Sequence, residues 1–453
     1  MAINDARRLT LIASCLAVLL AIAAGARLPS MHAGAAAFAL SSPLEGLATA
    51  PSKGHDEAAA PALAPGAANG VEGRRAGEFV RTIGARFMLG GRPFYSNGFN
   101  AYWLMYMASN PGDRSKVLDT LDQAARLGAK LIRTWAFNDG GGSRPLQIAP
   151  GVYNEDTFLG LDFVIAEAKK RGVYLILSLV NNWSDFGGKK QYVQWARDQG
   201  HNLGSDEDFF TDSLAQRFYM NHIQRVLTRV NNFTGVAYKD EPTIFAWELM
   251  NEPRVQSDLS GKTMQDWVTL MSAYVKSIDA NHMVEIGLEG FYGESVPDRK
   301  KFNPGYTVGT DFISNNRIPS VDFATIHSYP DQWVSGSSNE AQVEFMRKWM
   351  ASHIEDAAKE FQKPLIVSEF GWSARSNGYT VATRDDYFRM VYDSIYASVK
   401  EGGPCAGGLF WQVMAPGMEG WADGYDVVLE RCPTTTAIIS QECAKIDGLM
   451  PRV

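Results

Sequence analysis

From Phe79 onward the chain alternates short β-rich runs with longer amphipathic stretches, the pattern expected of a parallel sheet wound with helices. Eight runs qualify as strands: Tyr95 to Asn100, Leu131 to Phe137, Tyr174 to Leu179, Ile244 to Met250, Val284 to Leu288, Phe323 to Ser328, Leu365 to Glu369 and Gly408 to Trp411. Eight strands separated by helices fit a (β/α)8 TIM barrel, an α/β fold whose functional groups collect at the C-terminal ends of the strands. Ahead of them, Phe79-Val-Arg-Thr-Ile and Arg86-Phe-Met-Leu-Gly-Gly91 read as a small hairpin placed to plug the bottom of the barrel. With 453 residues, 45% of them hydrophobic, the chain can bury one large barrel core. No internal repeat at a solenoid period is visible.

The strand ends carry the chemistry. Glu252 closes the run Ile244-Phe-Ala-Trp-Glu-Leu-Met-Asn-Glu252-Pro253, and Glu369 closes Leu365-Ile-Val-Ser-Glu369. A carboxylate at the tip of an apolar strand is out of place unless it acts. Glycosidic cleavage needs one acid to protonate the leaving oxygen and a second carboxylate at the anomeric carbon, and retaining enzymes hold the two only ~5–5.5 Å apart. The ends of strands four and seven, on facing sides of a barrel mouth, can supply that pair, with Glu252 as acid/base and Glu369 as nucleophile. Arg133 within strand two would hold Glu369 ionised, because a nearby cation lowers a carboxylate's pKa. Tyr329 would donate a hydrogen bond to the nucleophile, Asn251 would bind a sugar hydroxyl, and Trp411 would stack under the sugar being cleaved. His327 ends strand six, and Asn182-Trp183 follow strand three. Each alone has an ordinary reading, as a surface ion pair, a structural histidine or a core tryptophan. A polar or aromatic group at six strand ends out of eight is a site. Alternation along strand four also turns Met250, Glu248 and Ala246 inward beneath Glu252, so Glu248 should be a buried carboxylate in need of a cation, with Arg133 the candidate.

Composition narrows the partners and the compartment. A formal charge of −7 leaves no basic face, which argues against nucleic-acid binding. Arg7-Arg8 and the apolar run from Leu9 to about Ala26 read as a signal peptide over residues 1–26, with an uncleaved membrane anchor as the alternative because the run nears the length that spans a bilayer. Residues 27–77 are rich in Ala, Gly and Pro and read as a disordered linker. The catalytic domain is then 78–453, secreted to the extracellular space. Of four cysteines, Cys15 falls in the signal; Cys432 and Cys443 are expected to be bridged and Cys405 free, with Cys405–Cys432 as the alternative pairing. No metal-site spacing of His or Cys occurs, so no metal or cofactor is expected.

The chain from about Phe79 to Leu429 resembles the endo-β-1,4-mannanases of the retaining glycoside hydrolases called family 5, particularly the plant-type enzymes. The resembling stretches are Asn100-Ala-Tyr-Trp-Leu-Met, Arg133-Thr-Trp-Ala-Phe-Asn-Asp-Gly, Asn181-Asn-Trp, Phe245-Ala-Trp-Glu-Leu-Met-Asn-Glu-Pro-Arg254, Glu285-Ile-Gly-Leu-Glu-Gly-Phe-Tyr-Gly293, Glu369-Phe-Gly and Leu409-Phe-Trp-Gln. The resemblance implies Glu252 as acid/base, Glu369 as nucleophile, and Arg133, Trp135, Asn251, His327, Tyr329 and Trp411 around the sugar, with Arg254 on the leaving-group side. It implies hydrolysis of internal β-1,4-mannosidic bonds in mannan, glucomannan or galactomannan, with no obligate protein partner. The stalk is longer than expected of such an enzyme, and no separate carbohydrate-binding module is recognisable. The competing readings are a cellulase-like retaining β-1,4-glycanase on the same barrel, a mannan transglycosylase and, from another class, a non-catalytic polysaccharide-binding protein.

Overall fold

A computed structural model describes residues 78–450. The proposed signal and linker lie outside the described residues. Eight parallel strands form the barrel: Gly98–Asn100, Leu131–Trp135, Tyr174–Ser178, Ile244–Glu248, Met283–Glu285, Ala324–Ser328, Leu365–Phe370 and Cys405–Phe410. Numbered one to eight along the chain, they pair in the order 5-4-3-2-1-8-7-6. Strands five and six share no ladder. They are joined instead by Asp322, whose N–H donates to Val284 O (2.8 Å) while its Oδ2 accepts from Val284 N (2.6 Å), and by His327 N donating to Glu289 O (2.9 Å).

All eight expected strands are present, with shifted boundaries that have local causes. Strand one starts later and strand eight earlier than expected, and both carry glycines where backbones meet. A Cβ on Gly98 would lie 1.7 Å from Leu131 O, and one on Gly407 would lie 1.9 Å from Ser96 O. Glycine depresses strand propensity, so a propensity reading begins strand eight too far along. Strand five stops at Glu285 because Gly287 takes a φ of 90° and turns the chain out of the sheet.

The expected hairpin is a three-stranded sheet, Arg81–Ile83, Arg86–Leu89 and Arg92–Pro93, and it does plug the barrel. The buried Phe87 ring meets Phe245 and Phe323, each at 5.1 Å and edge-on, at the N-terminal ends of strands four and six. Amphipathic helices wrap the outside, with starts set by side-chain caps such as Asn154, Asp212 and Thr380. Among the described residues, no helix is long and apolar enough to cross a membrane.

The expected Cys432–Cys443 bridge is wrong. Cys443 lies inside the helix Pro433–Asp447, which Cys432 immediately precedes. Eleven positions at a rise of ~1.5 Å set the two roughly 16 Å apart, far beyond the ~7 Å limit for a disulfide. Cys405, Cys432 and Cys443 are all free, Cys405 as expected, and Cys405 is buried in strand eight. Thiol titration of denatured residues 78–453 should therefore count three groups; a count of one would restore a bridge.

Candidate active site

Arg133 organises the mouth of the barrel. It sits mid-strand with a side chain that is 0% exposed, and each of its five N–H groups has an acceptor. Nε and Nη2 donate to the two oxygens of Glu248 at 2.5 and 2.7 Å. Nη2 also reaches Asn251 Oδ1 (2.6 Å), and Nη1 reaches Asn100 Oδ1 (3.0 Å) and Glu369 Oε1 (2.6 Å). A buried guanidinium is tolerated only when paired and fully bonded, and this one is. Lysine could not replace it, since an ammonium offers three donors and no planar fork.

Glu369 is brought opposite His327 by a bulge: Ile326 pairs with Val367, then His327 pairs with Glu369, and Ser368 is skipped. Asn100 fixes that bulge by donating from Nδ2 to Ser368 O at 2.8 Å. The second oxygen of Glu369 accepts from Tyr329 OH at 2.6 Å.

Glu252 does not continue the alternation of strand four. The strand ends at Glu248, and Glu252 takes a left-handed φ of 51°, which a β-carbon-bearing residue adopts at a cost. Asn251 and Glu252 consequently both face the site, which the strict two-residue period does not allow. Glu252 Oε1 accepts from His327 Nδ1 and Oε2 from Trp183 Nε1, each at 2.6 Å. One oxygen from each of Glu252 and Glu369, together with a ring nitrogen of His327, lie within 4.8 Å of one another. Such a trio has the spacing of a cation site. All four carboxylate oxygens, however, already accept a hydrogen bond, and Arg133 adds its positive charge beside Glu369.

The two carboxyls have different surroundings. Burial alone would raise Glu252, but the His327 hydrogen bond and charge, with help from Trp183 and Arg254, bring it down to about 2. Burial raises Glu369 above its ordinary range, aided by the Glu252 charge and opposed by His327, Arg133 and Tyr329. For His327, burial is outweighed by Glu369 and Glu252, so its ring is raised above the usual imidazole value. Glu252 and His327 therefore hold one proton between them across a 2.6 Å contact, and they titrate as a pair. When that proton sits on Glu252, its repulsion of Glu369 vanishes, leaving Arg133 and Tyr329 to keep Glu369 ionised.

Two aromatic surfaces flank the carboxyls. On one side Trp183 is 40% exposed, with the Arg254 guanidinium 5.0 Å above its ring. Arg254 is clamped by Glu289 at 2.7 and 2.5 Å, and burial together with the nearby Glu252 pushes Glu289 up to about 7. On the other side Tyr102 stacks on Trp411 at 5.5 Å and 9°. Trp411 is held by Asp423, which accepts from its Nε1 at 2.6 Å.

Arg133, Asn251, Tyr329 and Glu369 thus form one hydrogen-bonded set and His327 and Glu252 a second, with His327 Nδ1 3.6 Å from Glu369 Oε2 between them, and Glu248 is buried against Arg133 as expected. Trp135 is different: it is buried, 4.7 Å from Tyr102 and 4.8 Å from Phe137, and bonds to none of the catalytic groups. It backs the Tyr102–Trp411 wall. Sequence reading overlooked Glu289, Tyr102 and Asn100. Asn100 and Glu289 obey the same rule that exposed Glu252, a polar group at or just past a strand end, so the signal was present.

Three kinds of comparison show what the chain is similar to. The model of a family described as GH family 5 beta-mannosidase-like matches residues 77–418. The chain is 74% identical over 375 residues to a rice protein provisionally named mannan endo-1,4-beta-mannosidase 9, covering 83% of this chain and 91% of that protein. It is 54% identical over 377 residues to Arabidopsis thaliana mannan endo-1,4-beta-mannosidase 7, covering 83% and 87%. Among solved structures, the endo-beta-1,4-mannanase from Thermotoga petrophila superposes with a TM-score of 0.66 at 31% identity, covering 78% of this chain and 77% of that one.

Proposed function

The chain belongs to the GH family 5 beta-mannosidase-like family, and from that premise we infer that it is an endo-acting mannan endo-1,4-β-mannosidase working by double displacement. The observation that carries the mechanism is the approach of Glu252 and Glu369 oxygens to within 4.8 Å, which leaves no room for the water that an inverting enzyme seats between its acids at ~6.5–9.5 Å. Glu369, steered by Arg133 and Tyr329, attacks the anomeric carbon while the proton held by Glu252 and His327 passes to the leaving oxygen. Glu252 then deprotonates the water that releases the sugar. The polysaccharide is a β-mannan, with the departing chain lying over Trp183 and Arg254 and the glycone over Trp411 and Tyr102. The Arg7-Arg8 and apolar run at the N-terminus supports secretion, and the Ala/Gly/Pro-rich stretch to residue 77 supports a spacer ahead of the catalytic domain.

A second reading has its own support. The exposed Trp183 face beside the acid/base would hold an acceptor sugar as readily as a leaving one, which favours some transglycosylation. One experiment covers both readings: early-time proton NMR on defined mannan oligosaccharides should show internal cleavage with the β-anomer forming first. Products longer than the substrate would report transfer to sugar. An α-anomer first, or release of monomers from one end, would reject the retaining endo mechanism.

The pair's proton also sets a pH dependence. Activity requires Glu369 ionised and one proton on Glu252–His327, so kcat/KM should fall on the acid side as Glu369 protonates, above its ordinary 4.5, and on the alkaline side as the pair loses its proton, above the ordinary 6.5 of histidine. His327→Asn removes the cation that lowers both carboxyls. The acid limb should then move up and the alkaline limb move down, narrowing the bell from both sides. An unchanged alkaline limb would show that His327 does not share the proton.

A further inference from the structure

Beneath Arg133 lies a buried carboxyl for which the reaction has no use. Glu285, the last residue of strand five, is in register with Glu248 on strand four, so the two side chains leave the same face of neighbouring parallel strands. Both residues are 0% exposed. Glu248 spends one N–H bond from Arg133 on each of its oxygens. Glu285 Oε2 accepts from Gly287 N at 2.5 Å and from Thr325 Oγ1 at 3.3 Å, while its Oε1 receives no hydrogen bond from any described residue. The charged groups facing it are Glu248 and, beyond Glu248, Arg133; Thr325 on strand six is neutral.

Were Glu285 ionised, three buried carboxylates, with Glu248 and Glu369, would answer to the single charge of Arg133. That arrangement is prohibitively costly in a site closed to water. A proton on Oε1 removes the excess charge and supplies a donor for a lone pair that the two Arg133 bonds leave free on Glu248. We propose that Glu285 is a standing protonated acid whose hydroxyl donates to Glu248, and that this carboxyl pair positions Arg133 and, through it, the nucleophile Glu369. Burial and the Glu248 charge both push Glu285 well above the ordinary carboxylic range, while Arg133 outweighs burial at Glu248 and brings it below. Gly287 makes the contact reachable. A Cβ there would lie 1.8 Å from Met250 O and 3.1 Å from Glu248 Cγ, so only glycine lets the loop fold over the pair and aim its N–H at Glu285.

The positioning role rests on the reading of Glu369 as nucleophile; the proton does not, and the test separates them. Infrared difference spectra at neutral pH should show a protonated-carboxyl C=O stretch in the intact protein that disappears in Glu285→Gln, whatever the protein's activity. A glutamine keeps both bonds, accepting from Gly287 and donating to Glu248. Kinetics then test positioning. Glu285→Ala removes one of the donors to Glu248 and leaves only the Arg133 bonds, so the Glu248 pKa should rise and the acid limb of kcat/KM should move up by roughly one pH unit, whereas Glu285→Gln should restore the wild-type limb. Bands from other protonated carboxyls such as Glu289 are common to both proteins and cancel, so a wild-type-minus-Glu285→Gln difference spectrum that lacks a protonated-carboxyl band overturns the proton. A wild-type limb in Glu285→Ala with only a lower Tm reduces the pair to scaffold. If Glu285→Ala does not fold, an acid limb displaced in Glu285→Gln would itself reject the proposal.

Discussion

Glu369→Gln should abolish hydrolysis of every β-mannoside, activated or not, with a loss of at least ~10⁴-fold in kcat. The amide has almost the shape of the carboxylate, so its surroundings can keep it in place. Arg133 can only donate, so the amide oxygen must face its Nη1, and the amide nitrogen then faces Tyr329, whose hydroxyl can turn to accept. The fold should survive, and the melting temperature should stay near that of the wild type. What disappears is the electron pair that forms the glycosyl ester, and no leaving group is good enough to replace it. Trapping with an activated fluoro-sugar should label Glu369 in the wild type and nothing in the variant. Retained-configuration turnover above about one per cent of wild type would remove Glu369 from the nucleophile role.

Much of this was legible in the chain because barrel chemistry is placed at strand ends. The eight apolar runs, the paired glutamates closing two of them and the buried Glu248 all follow from period and position. What was not legible depends on contacts between distant segments. The glycines that let strands one, two and eight approach look, in sequence, like interruptions. Strands five and six close the barrel through Asp322 and the His327–Glu289 backbone bond rather than a ladder, and no propensity marks that. The five bonds of Arg133 go to the ends of three strands, one, four and seven, so its role as a hub emerges only when the strands are assembled. The cysteines show the opposite failure: spacing proposed a bridge where an uninterrupted helix holds the two sulfurs apart. Glu252 shows a third kind. The strand was expected to run to Met250 with alternation carrying on to the glutamate, but it ends two residues early, at Glu248. A left-handed residue then aims the carboxylate at His327 and Trp183.

Glu252→Ala should produce a defect that depends on the leaving group. Glycosylation of a natural mannan expels a sugar alkoxide, which needs the proton held by Glu252 and His327; without the carboxyl, kcat on mannan should fall by about 10²–10⁴-fold. An aryl β-mannoside whose phenol leaves unprotonated should still form the ester on Glu369 and release its phenol in a burst. The following step should be slow, because no base remains to activate water. Azide needs no base, and removing the side chain opens room beside Trp183, so added azide should restore steady turnover and yield the β-mannosyl azide, the configuration set by attack on an α-linked ester. In Glu369→Ala, azide would instead attack the substrate itself and give the α-azide. The anomeric configuration of the rescued product thus assigns the two glutamates independently of any rate. An α-azide from Glu252→Ala, or a β-azide from Glu369→Ala, would mean that the two roles are exchanged.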